Sequence, residues 1–352
     1  MAIDTIDDLR THVALARQVE MSTIPPYLYS AYSIKDQDSD AAKLIISVVV
    51  EEMLHLALTT NLLLALGGEP DWGPTLMQRY PSLMAHHQPD LMLHLTRCRP
   101  EVVRDLFMTI ERPESPGAPP EDDEYETLGQ FYLALELAID ALAQREDIFG
   151  DHQPERQLSD PSLYGAVKYV ADDSGGLMMI SDAVSAKAAL EVIIHQGEGV
   201  SAERWADESH QELTHYWKFG QIADGTSPIG ETWPVVDDPR STDFPEALRP
   251  VSDLFNAVLR LVFSTMEGMF SSHADQGALA GRLYSLMSEV LSPVARLLMT
   301  QPMSESTNAG PTFEWYEFSA APESEVLQLA DSVAANYPDL EQVAQTLSVV
   351  LP

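Results

Sequence analysis

From Leu44 to Leu66 the chain is apolar over about six turns of helix, and the ionisable residues inside that stretch are Glu51, Glu52 and His55. A helix apolar nearly all round belongs in the middle of a bundle. A carboxylate buried there is costly without a partner of opposite charge. The chain is poor in cations, with 20 Lys and Arg against 55 Asp and Glu and a formal net charge of −35. Neighbouring helical segments supply more carboxylates instead: Glu20 earlier in the chain, Glu191 and Glu198 later. Carboxylates gathered in a basic-poor core require a metal cation.

Helical periodicity places this stretch among others. A first helix is predicted from about Thr5 to Ser33, with a kink or break at Pro25-Pro26, where two backbone donors are missing. The second starts at the cap candidates Ser39 and Asp40 and stops at Gly67-Gly68. Residues 69–98 read as a long ordered connection, Pro100 to Ile110 as a short helix, and Arg112 to Glu126 as an acidic, Pro-rich loop. Leu128 to Glu146 is helical again. Two helical pairs follow: Met178 to His195 or beyond with Trp205 to Ile222, then Glu246 to Phe270 with Gly277 to Met299. The segment Ser227 to Pro245 separates them. The fold class is mostly α: a four-helix bundle with accessory helices and long ordered loops. Residues 1–225 are expected to form the bundle with its inserted connections. Residues 226–352 should form an accessory helical region packed on it, the two making one compact unit.

Glu precedes His by three residues twice, in Glu52-Met-Leu-His55 and Glu212-Leu-Thr-His215. At that spacing both side chains share one helix face and can hold one cation. With Glu20 and Glu198 the set reads Glu20, Glu52/His55, Glu198, Glu212/His215. One Glu from each of two helices and Glu-x-x-His from each of two others is the ligand pattern of di-iron and di-manganese carboxylate bundles. Mixed oxygen and nitrogen ligation suits two iron ions, with manganese as the alternative. Other readings stand beside these. Glu20 can pair with Arg17, three residues earlier. Glu51 points elsewhere on its helix, toward solvent, a helix contact or a supporting role. Glu191, His195 and Glu198 fall on one face, so Glu191 and His195 are secondary candidates. Asp207, Glu208 and His210 read as a solvated helix start.

Several classes of protein are disfavoured. So acidic a surface repels phosphate backbones and anionic headgroups, so neither nucleic acid nor membrane is an expected partner. The apolar stretch is interrupted by charge, which argues against a transmembrane span. A single cysteine, Cys98, excludes an internal disulfide framework and a cysteine-based zinc site. No secretory signal is visible in the first residues, so the expected location is cytoplasmic.

The run Glu20-Met-Ser-Thr-Ile-Pro-Pro-Tyr-Leu-Tyr29, then Glu51-Glu-Met-Leu-His55 and Asn61-Leu-Leu-Leu-Ala-Leu-Gly-Gly-Glu-Pro70, resembles the ferritin-like family of the iminophenyl-pyruvate dimer synthase type, found in violacein- and rebeccamycin-type pathways. Phe107-Met-Thr-Ile-Glu-Arg-Pro113, Thr127-Leu-Gly-Gln-Phe-Tyr132, Gln196-Gly-Glu-Gly199, His215-Tyr-Trp-Lys-Phe219 and Ala309-Gly-Pro-Thr-Phe-Glu314 extend the likeness over roughly residues 10–320. The resemblance implies a ferritin-like bundle and supports Glu20, Glu52, His55, Glu198, Glu212 and His215 as metal positions. His195 departs from the acidic or small polar residue expected before Gln196. The implied activity is a secondary-metabolism oxidoreductase with a dinuclear non-haem centre. It would act with dioxygen on a small organic, aromatic amino-acid-derived substrate. Oxidative coupling of the iminophenyl-pyruvate type, metal storage and a non-catalytic scaffold are the alternatives. Tyr27, Tyr29, Trp217 and Phe219 are candidates to line a pocket or to fill core, as are Met266, Met269, Met287 and Met299. Oligomeric state is left open, a homodimer included.

Overall fold

The computed structural model describes residues 3–115, 117–164, 176–197 and 213–351. Helix α1 (Ile6–Ser33) begins in a reciprocal cap: Thr5 Oγ1 accepts from the Asp8 amide at 3.2 Å and Asp8 Oδ2 accepts from the Thr5 amide at 3.0 Å. The helix runs without a break through Pro25 and Pro26. Pro26 cannot donate to the carbonyl four residues earlier, and the Tyr80 hydroxyl takes over, donating to Ser22 O at 2.7 Å. Helix α2 (Asp40–Ala65) is capped by Ser39 and ends where Gly67 takes a φ of +70°, its neighbour Gly68 donating to Leu63 O.

The two helices are antiparallel. Arg17 meets Thr60, Glu20 meets His55 and Thr23 meets Glu52, so positions rise along α1 as they fall along α2. Helix α5 (Leu128–Ala143), which carries none of the predicted ligands, packs on α1 and on α6 (Ala183–Gly197), and α6 packs in turn on α2. A short stretch of α3 (Pro100–Val102), a π-helical turn (Val103–Phe107) and α4 (Met108–Ile110) leads to Glu111. Helix α7 (His215–Ala223), the described part of the predicted helix from Trp205 to Ile222, rests on that turn and on α2.

The predicted connection over residues 69–98 is ordered, with a two-stranded hairpin of β1 (Ser82–Leu83) and β2 (Met92–Leu93) and with Trp72, Met77 and Tyr80 buried. The Arg17 guanidinium lies over the Trp72 ring. Arg17 also bonds Thr60 and Asp71 O, so it is not the partner of Glu20. Helices α8 (Arg249–Met269), α9 (Gln276–Tyr284), α10 (Ser292–Thr300), α11 (Pro322–Ala334) and α12 (Glu341–Val350) form the accessory layer, with α10 against α1. A π-helical turn, Ser285–Leu291, joins α9 to α10. Among the described residues no helix is long and apolar enough to cross a membrane.

Candidate metal centre

Buried ionisable side chains converge where α1, α2, α7 and the end of α4 meet. Glu20, Glu52, His55 and His215 are at most 2% exposed, and Glu111 joins them at 2%. They form two groups with ligand atoms in common reach of one cation: Glu20, Glu52 and His55, then Glu52, Glu111 and His215. Glu52 belongs to both. Its Oε1 lies 2.9 Å from His215 Nδ1 and 3.9 Å from His55 Nδ1, and the two imidazoles stack with centroids 5.4 Å apart.

Each carboxylate has one oxygen held and one turned inward. Tyr132 Oη donates to Glu20 Oε1, Thr23 Oγ1 to Glu52 Oε2 at 2.7 Å, and Tyr27 Oη to Glu111 Oε1 at 2.5 Å. The other oxygens face imidazole nitrogens: Glu20 Oε2 lies 3.2 Å from His55 Nδ1, and Glu111 Oε2 lies 3.3 Å from His215 Nδ1. The histidines repeat the pattern. His55 Nε2 donates to Gln196 Oε1 at 2.9 Å, and His215 Nε2 to Glu51 Oε2 at 2.9 Å. That fixes the N–H on the outer nitrogen and points the Nδ1 lone pair at the carboxylates. Lys218 Nζ, also buried, donates to the same Glu51 oxygen.

An imidazole lone pair and a carboxylate oxygen repel at such distances unless a proton or a metal cation lies between them. His215 Nδ1 makes no hydrogen bond of acceptable geometry, although two carboxylate oxygens stand within 3.3 Å of it. Hard oxygens and imidazole nitrogens suit a divalent transition metal. The donor set fits a metal. The electrostatics agree. Burial, with the Glu111 charge adding, pushes the Glu52 carboxyl up to about 7, against the opposing pull of the adjacent His215. Burial works against a charged His215, but Glu111 and the contacts with Glu51 and Glu52 outweigh it and raise the imidazole well above its ordinary value. His55 is raised in the same way, Glu20 outweighing burial. The cavity at the centre is about 10 Å³ and is walled by Leu128, Gly129, Ile193 and Gly197 as well as by the carboxylates. That is room for a water-sized body.

Of the predicted ligands, Glu20, Glu52, His55 and His215 are brought together. Glu198 and Glu212 lie outside the described residues. Glu191 is exposed, beside Lys187 and Glu136 on the outer side of α6, so it is not in the cluster. His195 is half-buried and belongs to neither group. Glu51 holds His215 and Lys218 rather than facing solvent. Glu111 is the residue that sequence reasoning missed. It follows the buried Val103 and Phe107 by eight and four residues, hence on the same apolar stripe, which is the signal that could have found it. The aromatic candidates divide. Tyr27 and Phe219 pack with Phe107 beside Glu111, Tyr29 bonds Val236 O under Gly310, and Trp217 is 43% exposed.

The family model described as ferritin-like matches residues 13–224, and this chain belongs to that family. Dichlorochromopyrrolate synthase of Lentzea aerocolonigenes is 22% identical over 99% of this chain, which spans 39% of that protein's length. The crystal structure of a ferritin-like protein from Caulobacter vibrioides superposes with a TM-score of 0.63 at 21% identity, covering 89% of this chain and 99% of that one.

Proposed function

We propose that the chain is a dinuclear non-haem metal oxidoreductase, with iron the favoured metal, that uses dioxygen to oxidise a small organic substrate. The observation that carries this reading is the position of Glu52: one carboxylate oxygen faces both histidines, each of which completes its own group. Metals bound there would supply electron transfer to dioxygen and Lewis acidity in a site closed to bulk water. The protein's own groups do the positioning. Thr23, Tyr27 and Tyr132 each hold one carboxylate oxygen, so the second is fixed in direction. Burial and the neighbouring carboxylates raise both tyrosines well above their ordinary values, so both phenols stay protonated donors. Gln196 and Glu51 set the tautomers of His55 and His215. A likeness to a named synthase over the whole chain favours biosynthetic oxidation over storage. Oxidative coupling of amino-acid-derived imines is the narrower form of the same proposal.

Anaerobic titration with ferrous iron, counting equivalents per chain, is the first test, and two equivalents are expected. Exposure of the loaded protein to dioxygen with aromatic amino acids, their imines and keto acids, followed by mass spectrometry, is the second. An organic product formed in proportion to oxygen consumed is expected. Many irons per chain and no organic product would establish storage instead, and no uptake would leave a scaffold.

A further inference from the structure

Methionines on the late helices are not used by the metal centre. Met269 of α8 and Met287 of the following π-helical turn face α1 and α2 across a cavity of about 590 Å³, whose walls include Leu28, Val49, Met53 and Leu163. Small-molecule sites span about 300–1,000 Å³ and are mostly apolar with a few placed polar groups. Among the described residues no Asp, Glu, Lys, Arg or His lines it, in a chain with 55 acidic residues.

Three polar side chains on its wall are committed elsewhere. Gln37 Nε2 donates to Ala31 O and Ile34 O, Ser162 Oγ to Asp160, and Ser288 Oγ to Tyr284 O. Tyr164 differs: its hydroxyl is buried and has no hydrogen-bond partner among the described residues. An unpaired buried hydroxyl is a standing cost that a ligand atom would relieve. The residue is also held at a φ of +54°, which a bulky side chain seldom adopts. Tyr284, 70% exposed, lines the rim.

We infer that this cavity binds a neutral, largely apolar aromatic molecule through an oxygen or nitrogen that hydrogen-bonds to Tyr164. Thioethers favour aromatic partners and adapt to their shape. The described residues of the wall carry no charge, which selects against anions and cations alike. Met53 follows Glu52 on α2, so about 100° of rotation separates this face from the metal face. The cavity therefore lies on a different face of α2 from the metal centre, and its binding titration is read without metal.

The full chain, treated with chelator, is titrated with naphthalene, 2-naphthol and 2-naphthoate by fluorescence. One saturable site per chain is expected for 2-naphthol, with 2-naphthoate bound at least about tenfold more weakly, because a buried carboxylate finds no cation among the described wall residues. Leu163→Trp and Ala280→Phe fill the cavity from two sides. Each should weaken 2-naphthol more than about tenfold while the melting temperature and the metal stoichiometry hold. Tyr164→Phe should cost 2-naphthol about fivefold, the worth of one neutral hydrogen bond, and leave naphthalene unchanged. Absent or multi-site binding, or full affinity in a folded filling variant, would overturn the inference. Equal losses for naphthol and naphthalene in Tyr164→Phe would overturn the assigned anchor.

Discussion

The two halves of the cluster are supported by different chemistry. On one side, Glu20 and His55 are backed by neutral groups, the Tyr132 hydroxyl and the Gln196 amide. On the other, His215 is backed by an ionic pair, Glu51 with Lys218, and faces Glu52 and Glu111 as well. A neutral support orients an imidazole at small electrostatic cost. A buried ionic one orients it and adds electron density, but removing either partner takes a counter-charge from a buried charge. The His215 side is therefore the more basic half and the more fragile one.

Glu52 lies on the boundary, so its loss should erase the difference. Glu52→Ala is expected to abolish both equivalents of iron in an anaerobic titration, whereas Glu20→Ala and Glu111→Ala should each remove one. Retention of a tight equivalent in Glu52→Ala would show that the two groups do not share this residue. The supports come next. Glu51→Gln and Gln196→Leu should each weaken one equivalent by about 10–100-fold. Only Glu51→Gln should also lower stability clearly, because buried Lys218 and His215 both lose a carboxylate that they contact. Denaturant midpoints of the two variants, compared under chelation, measure that contrast. Equal midpoints would remove the distinction between ionic and neutral support.

Half of this was legible in the sequence, and the split has a physical cause. Glu52 and His55 announce themselves because a wholly apolar helix cannot bury them unaided, and His215 because it repeats the spacing. Glu20 stood out less, having Arg17 nearby, and only the fold shows that guanidinium turned to Thr60 and Asp71. Glu111 stayed hidden because it ends a short helix beside an acidic loop, where most carboxylates are solvated. The support shell was out of reach. Gln196, Tyr132 and Thr23 are ordinary residues whose roles come from contacts 29 to 141 positions away in the chain. In α1 the helix does not break at Pro25-Pro26, and a donor that compensates, Tyr80, arrives from a connection with no helical pattern.

Acid and base give a subtler handle. Glu52 titrates near 7 when folded against an ordinary 4.5, so between those values the folded chain holds a proton that the unfolded chain has released. Stability falls as pH rises through that window. His55 and His215 act with the same sign: their contribution is complete below about 6.5 and is lost as pH climbs through their raised folded values. Chelator-treated protein should therefore melt at progressively lower temperature from about pH 5 to pH 8. Metal competes with these protons, so the loaded protein should lose that slope or reverse it. Glu111→Gln removes the largest attraction on His215 and should flatten the upper part of the curve. A steeper fall in the loaded protein than in the chelated one would contradict the assignment.

The smallest effects should come from the hydroxyls, and they test whether the two groups are separable. Tyr132→Phe removes the donor on Glu20, and Tyr27→Phe removes the donor on Glu111, each leaving one buried carboxylate oxygen without its bond. Hydrogen bonds to charged groups are worth about 1.5–3 kcal/mol, but the freed oxygen can turn toward the cation and recover part of the loss. A weakening of about tenfold is therefore expected, confined to the equivalent on the altered side. Tyr27 also packs edge-on against Phe107 at 4.7 Å, and phenylalanine keeps that contact. Stability should then change little in either variant. Stepwise ferrous binding isotherms for the two variants decide the matter. If each lowers both steps alike, the carboxylates act as one undivided cage, and the contrast between a neutral and an ionic half fails with it.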